Sequence, residues 1–137
     1  MTARTALAIE TSALLAIGLS EPDADRLLVA AAAVERRFVS AVALVESAIV
    51  LRSRFGPAGD DVLRDVLRRL GVTVVPVHTE IAMLARLAAV RYGKGATVPG
   101  VLNFGDTFSY ALSVWLGVPL LFKGNDFSRT DVEVAAW

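Results

Sequence analysis

The chain has 137 residues, of which 55% are apolar and 20% charged. That suffices for a single hydrophobic core, so one domain over residues 1–137 is expected, and a disordered or collagen-like chain is excluded. Fourteen acids balance 14 bases, which excludes nucleic-acid binding driven by bulk positive charge and leaves only local attraction. Cysteine is absent, so disulfides, thiolate metal sites and cysteine nucleophiles are excluded. His78 is the single histidine, so no histidine-rich metal centre can form. Lys94 and Lys123 are the two lysines beside 12 arginines. The longest uncharged run, Thr107 to Phe122, is too short to span a bilayer. The N-terminal segment has Arg4 as its one base before Glu10 and makes a poor signal peptide. These features point to a cytoplasmic chain with no membrane association.

Residues 6–9 read as a buried strand ending at Glu10-Thr11-Ser12, and residues 12–19 as a short helix. Ser20-Glu21-Pro22-Asp23 has the form of a helix start, with a serine cap, an early proline and acids in the first turn. That helix is expected to reach about Arg36, with Leu27, Leu28, Ala31 and Val34 inward. Phe38-Val39 is a brief strand. Ser40 caps a helix over 41–54 that carries Val42, Val45, Ile49 and Arg52. A second amphipathic helix covers 58–70, with Gly71 as its stop. Residues 72–77 form a β-branched strand, and Thr79-Glu80 opens a helix to about Arg91. Residues 93–103 are a glycine-rich loop. Phe104–Leu116 reads as a helix closed by Gly117, followed by a strand at 120–122 and a possible edge strand at 130–135. Strands alternate with helices throughout. The expected fold is therefore α/β, with a parallel central sheet of four to five strands and helices on both faces. The binding crevice of such a sheet lies at the carboxyl ends of its strands.

Three acids stand in apolar surroundings. Glu10 ends the first strand, Glu46 sits inside VALVESAIVL, and Asp106 lies in the first turn of an apolar helix. Each has a structural explanation: Asp106 as a helix cap, Glu46 paired with Arg52 or another arginine, Glu10 accepting backbone N–H bonds. They also fit one shared site at the carboxyl edge of the sheet. Converging carboxylates repel unless a cation neutralises them, and oxygen ligands without histidine or cysteine suit Mg²⁺ or Mn²⁺. Asp126, in KGNDF after the last buried strand, is a fourth acid at that edge.

With these residues in view, the chain resembles the PIN-domain ribonucleases, and within them the VapC toxins of toxin–antitoxin pairs. ALAIETSALLAIGLSEPDADRL is similar to the opening of that family, SAVALVESAIVL to its second acidic segment, and LNFGDTFSYALSVWLGVPLLFKGNDFSRTDV to its third. The likeness covers roughly residues 6–134. Two departures stand out. The first family acid is usually aspartate and here is Glu10, whose extra methylene moves the carboxylate by roughly 1–1.5 Å if extended. The fourth acid commonly falls where this chain has Gly124. Here Asp126 is nearest, with Asn125 as a neutral oxygen ligand and Asp131 further on.

The resemblance implies an endoribonuclease dependent on Mg²⁺ or Mn²⁺. Glu10, Glu46, Asp106 and Asp126 would be its catalytic and metal-holding residues, with Thr11 and Ser12 in support. It also implies cleavage of tRNA or other structured RNA, a cognate VapB antitoxin and toxin homodimers. Arg91, Lys94, Lys123 and Arg129 flank the expected site and would contact phosphates. His78 and Trp115 are expected to be structural. Two alternatives are a receiver domain, which Glu46 inside a helix argues against, and a PIN-like protein disarmed by Glu10 that binds RNA or antitoxin without cutting.

Overall fold

Alternation along the strands places the two halves of the core. In β1 (Ala6–Ile9), Leu7 and Ile9 enter one apolar cluster and Ala8 the other. Val39 and Phe38 divide in the same way in β2 (Arg36–Ser40), and Leu121 and Leu120 in β4 (Leu120–Leu121). This is the period of two that a strand buried on both faces requires. The computed structural model describes residues 5–94, 96 and 101–137. With β3 (Val72–Val75), the described strands form a parallel sheet in the order β3-β2-β1-β4. The four strands agree with the expected fold. The tail adds only an isolated bridge between Leu120 and Val134, not an edge strand.

Helices cover both faces. α1 (Thr11–Gly18), α2 (Ala24–Ala32) and α4 (Ala58–Leu70) supply one cluster through Leu14, Ile17, Leu27, Val66 and Leu70. α5 (Thr79–Tyr92) and α6 (Phe104–Leu116) supply the other through Ile81, Ala85, Tyr110 and Leu112. Gly71 and Gly117 end α4 and α6 in the left-handed conformation, where glycine carries no Cβ penalty.

Two expectations need correction. Ser20 does not cap a helix: its φ is 52°, and α2 starts four residues later. An N-cap needs extended backbone, and Ser20 instead turns the chain so that the Glu21 N–H bonds to Ala16 O at 2.9 Å. α2 also stops at Ala32, before Arg36. The Arg37 guanidinium takes the carbonyls of Ala31 and Val34, and Arg36 bonds to Thr5 O as β2 begins. In α3 (Ala41–Phe55), Val45 and Ile49 face outward, while Ala43, Ser47 and Leu51 are buried. Much of the expected glycine-rich loop, residues 95 and 97–100, lies outside the described residues.

Leu14 is fully buried at the centre of the α1-side cluster. Leu14→Ala is expected to lower stability by about 2–5 kcal/mol, read from the urea midpoint.

Candidate active site

The strand order reverses between β1 and β4, since β1 continues to β2 on one side and meets β4 on the other. Such a switch point opens a crevice beyond the carboxyl ends of the strands. Glu10 follows β1 there, its N–H bonded to Leu121 O at 2.9 Å. It is the N-cap of α1, and its carboxylate accepts the Ser12 N–H at 2.8 Å and the Ser12 hydroxyl. Asp106 is the fourth residue of a capping box. Its carboxylate accepts the Asn103 N–H at 3.0 Å, and the Asn103 side chain accepts the Asp106 N–H at 2.8 Å. The helix-cap reading of Asp106 is therefore realised, at a place where it also meets the other acids.

Glu10 and Asp106 are 5% and 6% exposed. Asp106 is close enough to Glu10 to hydrogen-bond with it when one of them holds a proton. Burial pushes Glu10 up to about 7; Asp106 and Glu46 add repulsion, and the Ser12 donors pull the other way. Burial likewise pushes Asp106 up to about 6, with repulsion from Asp126 and Glu46 set against the Asn103 N–H. The pair therefore titrates as a coupled unit.

Glu46 reaches this edge from the second turn of α3. Its Oε1 accepts the Thr11 hydroxyl at 2.9 Å, whereas Arg52, its expected partner, pairs with Asp60 at 3.0 Å. The Glu46 carboxyl lies against Gly105, where an added Cβ would fall 2.1 Å from Oε2. Sequence reading passed over Gly105. The signal was a glycine in the first turn of a helix beside an acid, which marks close approach.

Asp126 is exposed in the turn after β4 and near enough to raise the pKa of Asp106. Asn125 is also exposed, and its backbone carbonyl accepts the Ser128 N–H and hydroxyl. Asp131 lies apart: its carboxylate accepts the hydroxyls of Tyr92 and Tyr110, and these bonds lower its pKa. Arg91 stacks on Tyr92, 3.9 Å from Asp131, while Lys94 and Arg129 are exposed. Lys123 departs from expectation. Its ammonium binds Glu21 at 2.6 Å and Asp23 at 3.0 Å, which raises its pKa, so two carboxylates occupy the charge expected to face phosphate. His78 caps α5, with Ile81 N 3.4 Å from its Nδ1, and packs edge-on against Trp115.

Among the described residues, no three Asp, Glu, His or Cys side chains stand as a ready-made metal-ligand set. Glu10, Glu46 and Asp106 instead accept from Ser12, Thr11 and Asn103. The donor chemistry nonetheless fits a hard divalent ion. All candidate ligands are oxygens, and two are buried carboxyls whose raised pKa values a cation would reverse.

The PIN-domain family profile matches residues 7–133. The chain belongs to the PIN-domain family. Within it, the chain is similar to VapC proteins. Ribonuclease VapC30 of Mycobacterium tuberculosis is 45% identical over 130 residues, covering 95% of this chain and 98% of the relative. Ribonuclease VapC of Mycolicibacterium smegmatis is 49% identical over 126 residues, covering 92% and 97%. Among solved structures, M. tuberculosis VapC20, described as a sarcin-ricin loop cleaving toxin, superposes with a TM-score of 0.74 at 19% identity. That match covers 92% of this chain and 95% of VapC20, and it supports the fold.

The acid pair predicts a pH dependence in chelator. Below about pH 4.5 Glu10 is protonated whether the chain is folded or not. As pH rises toward 7 the unfolded chain releases that proton while the folded PIN domain keeps it, so stability falls. The expected loss is on the order of 3 kcal/mol between pH 4.5 and 7.5. Urea titrations should show Glu10→Gln flattening the profile.

Proposed function

We propose that the chain is a cytoplasmic, divalent-metal-dependent endoribonuclease, the toxin of a toxin–antitoxin pair, held in check by a VapB-type antitoxin. The observation that carries this reading is the meeting of buried Glu10 and Asp106 at the switch point of the sheet, with Glu46 and Asp126 felt there. The ribonuclease names of relatives 45% and 49% identical to this chain support it.

Glu10, Glu46, Asp106 and Asp126 would hold Mg²⁺ or Mn²⁺. When bound, the ion supplies Lewis-acid activation of the phosphate and of the attacking water. The protein's own part is orientation. The Thr11 hydroxyl sets Glu46, Ser12 sets Glu10, and the Asn103 N–H sets Asp106. The departure at Glu10 is accommodated because its carboxylate turns back onto the N–H of Ser12, the place an aspartate cap would fill. This favours an active enzyme over a disarmed binding protein.

The substrate is tRNA or another structured RNA, its phosphates approached by Arg91, Lys94 and Arg129. A groove of about 680 Å³ runs beside the Asn103 cap between Lys94 and Phe104 and offers a path for the strand. Outward apolar rows, Val45 and Ile49 on α3 and Met83, Leu87 and Val90 on α5, support a homodimer. No helix among the described residues is long and apolar enough to cross a membrane.

Purified protein should cut RNA with Mg²⁺ or Mn²⁺ and stop in chelator. Asp106→Asn should lose at least about 100-fold in rate, on the scale of removing a charge-stabilising group. Equal rates for both proteins would overturn the mechanism. Gly105→Ala should push the Glu46 carboxyl away and abolish most cleavage. Its thermal midpoint should change little, because the group that must give way is the end of a flexible side chain.

A further inference from the structure

The turn that carries Asp126 is exposed, yet it must hold an acid close to Asp106. Its anchor is Lys123. The Lys123 backbone N–H donates to the Ser12 hydroxyl oxygen at 2.9 Å, and that hydroxyl donates to Glu10. The Lys123 ammonium reaches across to Glu21 and Asp23 at 2.6 and 3.0 Å, with all three side chains only about one-third exposed. Glu21 and Asp23 are presented by the α1–α2 turn, which the left-handed Ser20 shapes. A non-glycine residue adopts that backbone only at a cost, so the surrounding contacts hold it there. Two carboxylates around one ammonium leave an excess negative charge, which would repel a phosphate rather than recruit it.

We propose that Lys123 is a positioning residue: clamped by Glu21 and Asp23 and bonded to Ser12, it fixes the start of the turn that places Asp126 beside Asp106. The clamp rests on the metal-site reading above and adds Lys123, Glu21 and Asp23 to the parts that shape the site. It also gives Ser12 a double task, joining the first acid to the turn of the fourth.

The test compares wild type with Lys123→Gln, Glu21→Gln and Lys123→Arg in the full chain. Mn²⁺ alone is titrated by electron paramagnetic resonance, and RNA binding is measured in chelator. Lys123→Gln and Glu21→Gln should each weaken Mn²⁺ binding by about tenfold, as loss of an outer-shell partner does. Both should lower kcat with KM little changed and speed amide exchange in the 123–127 turn. Lys123→Arg should recover most of the loss. An RNA contact predicts the opposite sign at Glu21, because Glu21→Gln would remove one of the two carboxylates that neutralise the ammonium and so tighten RNA binding. Tighter RNA binding by Glu21→Gln, or unchanged Mn²⁺ binding and exchange in both variants, overturns the clamp alone. Wild type that binds no Mn²⁺ overturns the metal-site reading and the clamp with it.

Discussion

Two carboxyl groups buried side by side govern this structure. Glu10 and Asp106 sit at the carboxyl edge of the sheet with almost no access to water, and that burial raises both pKa values. In a medium of low dielectric, two bare charges that close would cost several kcal/mol. The fold offsets this with donors on the first turns of two helices: the N–H and hydroxyl of Ser12, and the N–H of Asn103 that opens α6. What remains is a demand for positive charge, met by a proton or by a metal ion. The same local feature accounts for the acid-favoured stability expected of the chain and for the divalent chemistry proposed for it.

The sheet makes that meeting possible. Its order brings the ends of β1 and β4 together, although more than 100 residues separate Glu10 from Asp126 along the chain. The two apolar clusters hold the strands from opposite faces, so the acids lie on a rigid edge. Rigidity at the edge and exposure of the following turn are opposing demands. The contacts around Lys123 reconcile them.

Much of this was legible in the sequence because hydrophobic period and acid placement are local signals. Glu10 after a four-residue apolar run and Asp106 at the head of an apolar helix were visible as carboxylates in costly places. Ser20 was misread because serine, glutamate, proline and aspartate in a row mimic a helix start, while a turn fixed by Ala16 O is a tertiary effect. The partners of Lys123 were hidden for a related reason. A lone lysine beside an acidic turn looks free until the fold brings up Glu21 and Asp23, 102 positions away in the case of Glu21.

The capping box at α6 bears on how relatives of this chain are to be read. Asp106 closes the helix through the Asn103 N–H whether or not any chemistry follows. A PIN domain that had lost nuclease function would still gain from an acid at that position, so its retention says little about activity. Glu46 has no such structural duty: it stands mid-helix, held by one hydroxyl and pressed against a glycine. Under the proposed function, drift away from glutamate at position 46, or a side chain arriving at position 105, is therefore the more telling mark of a silenced member.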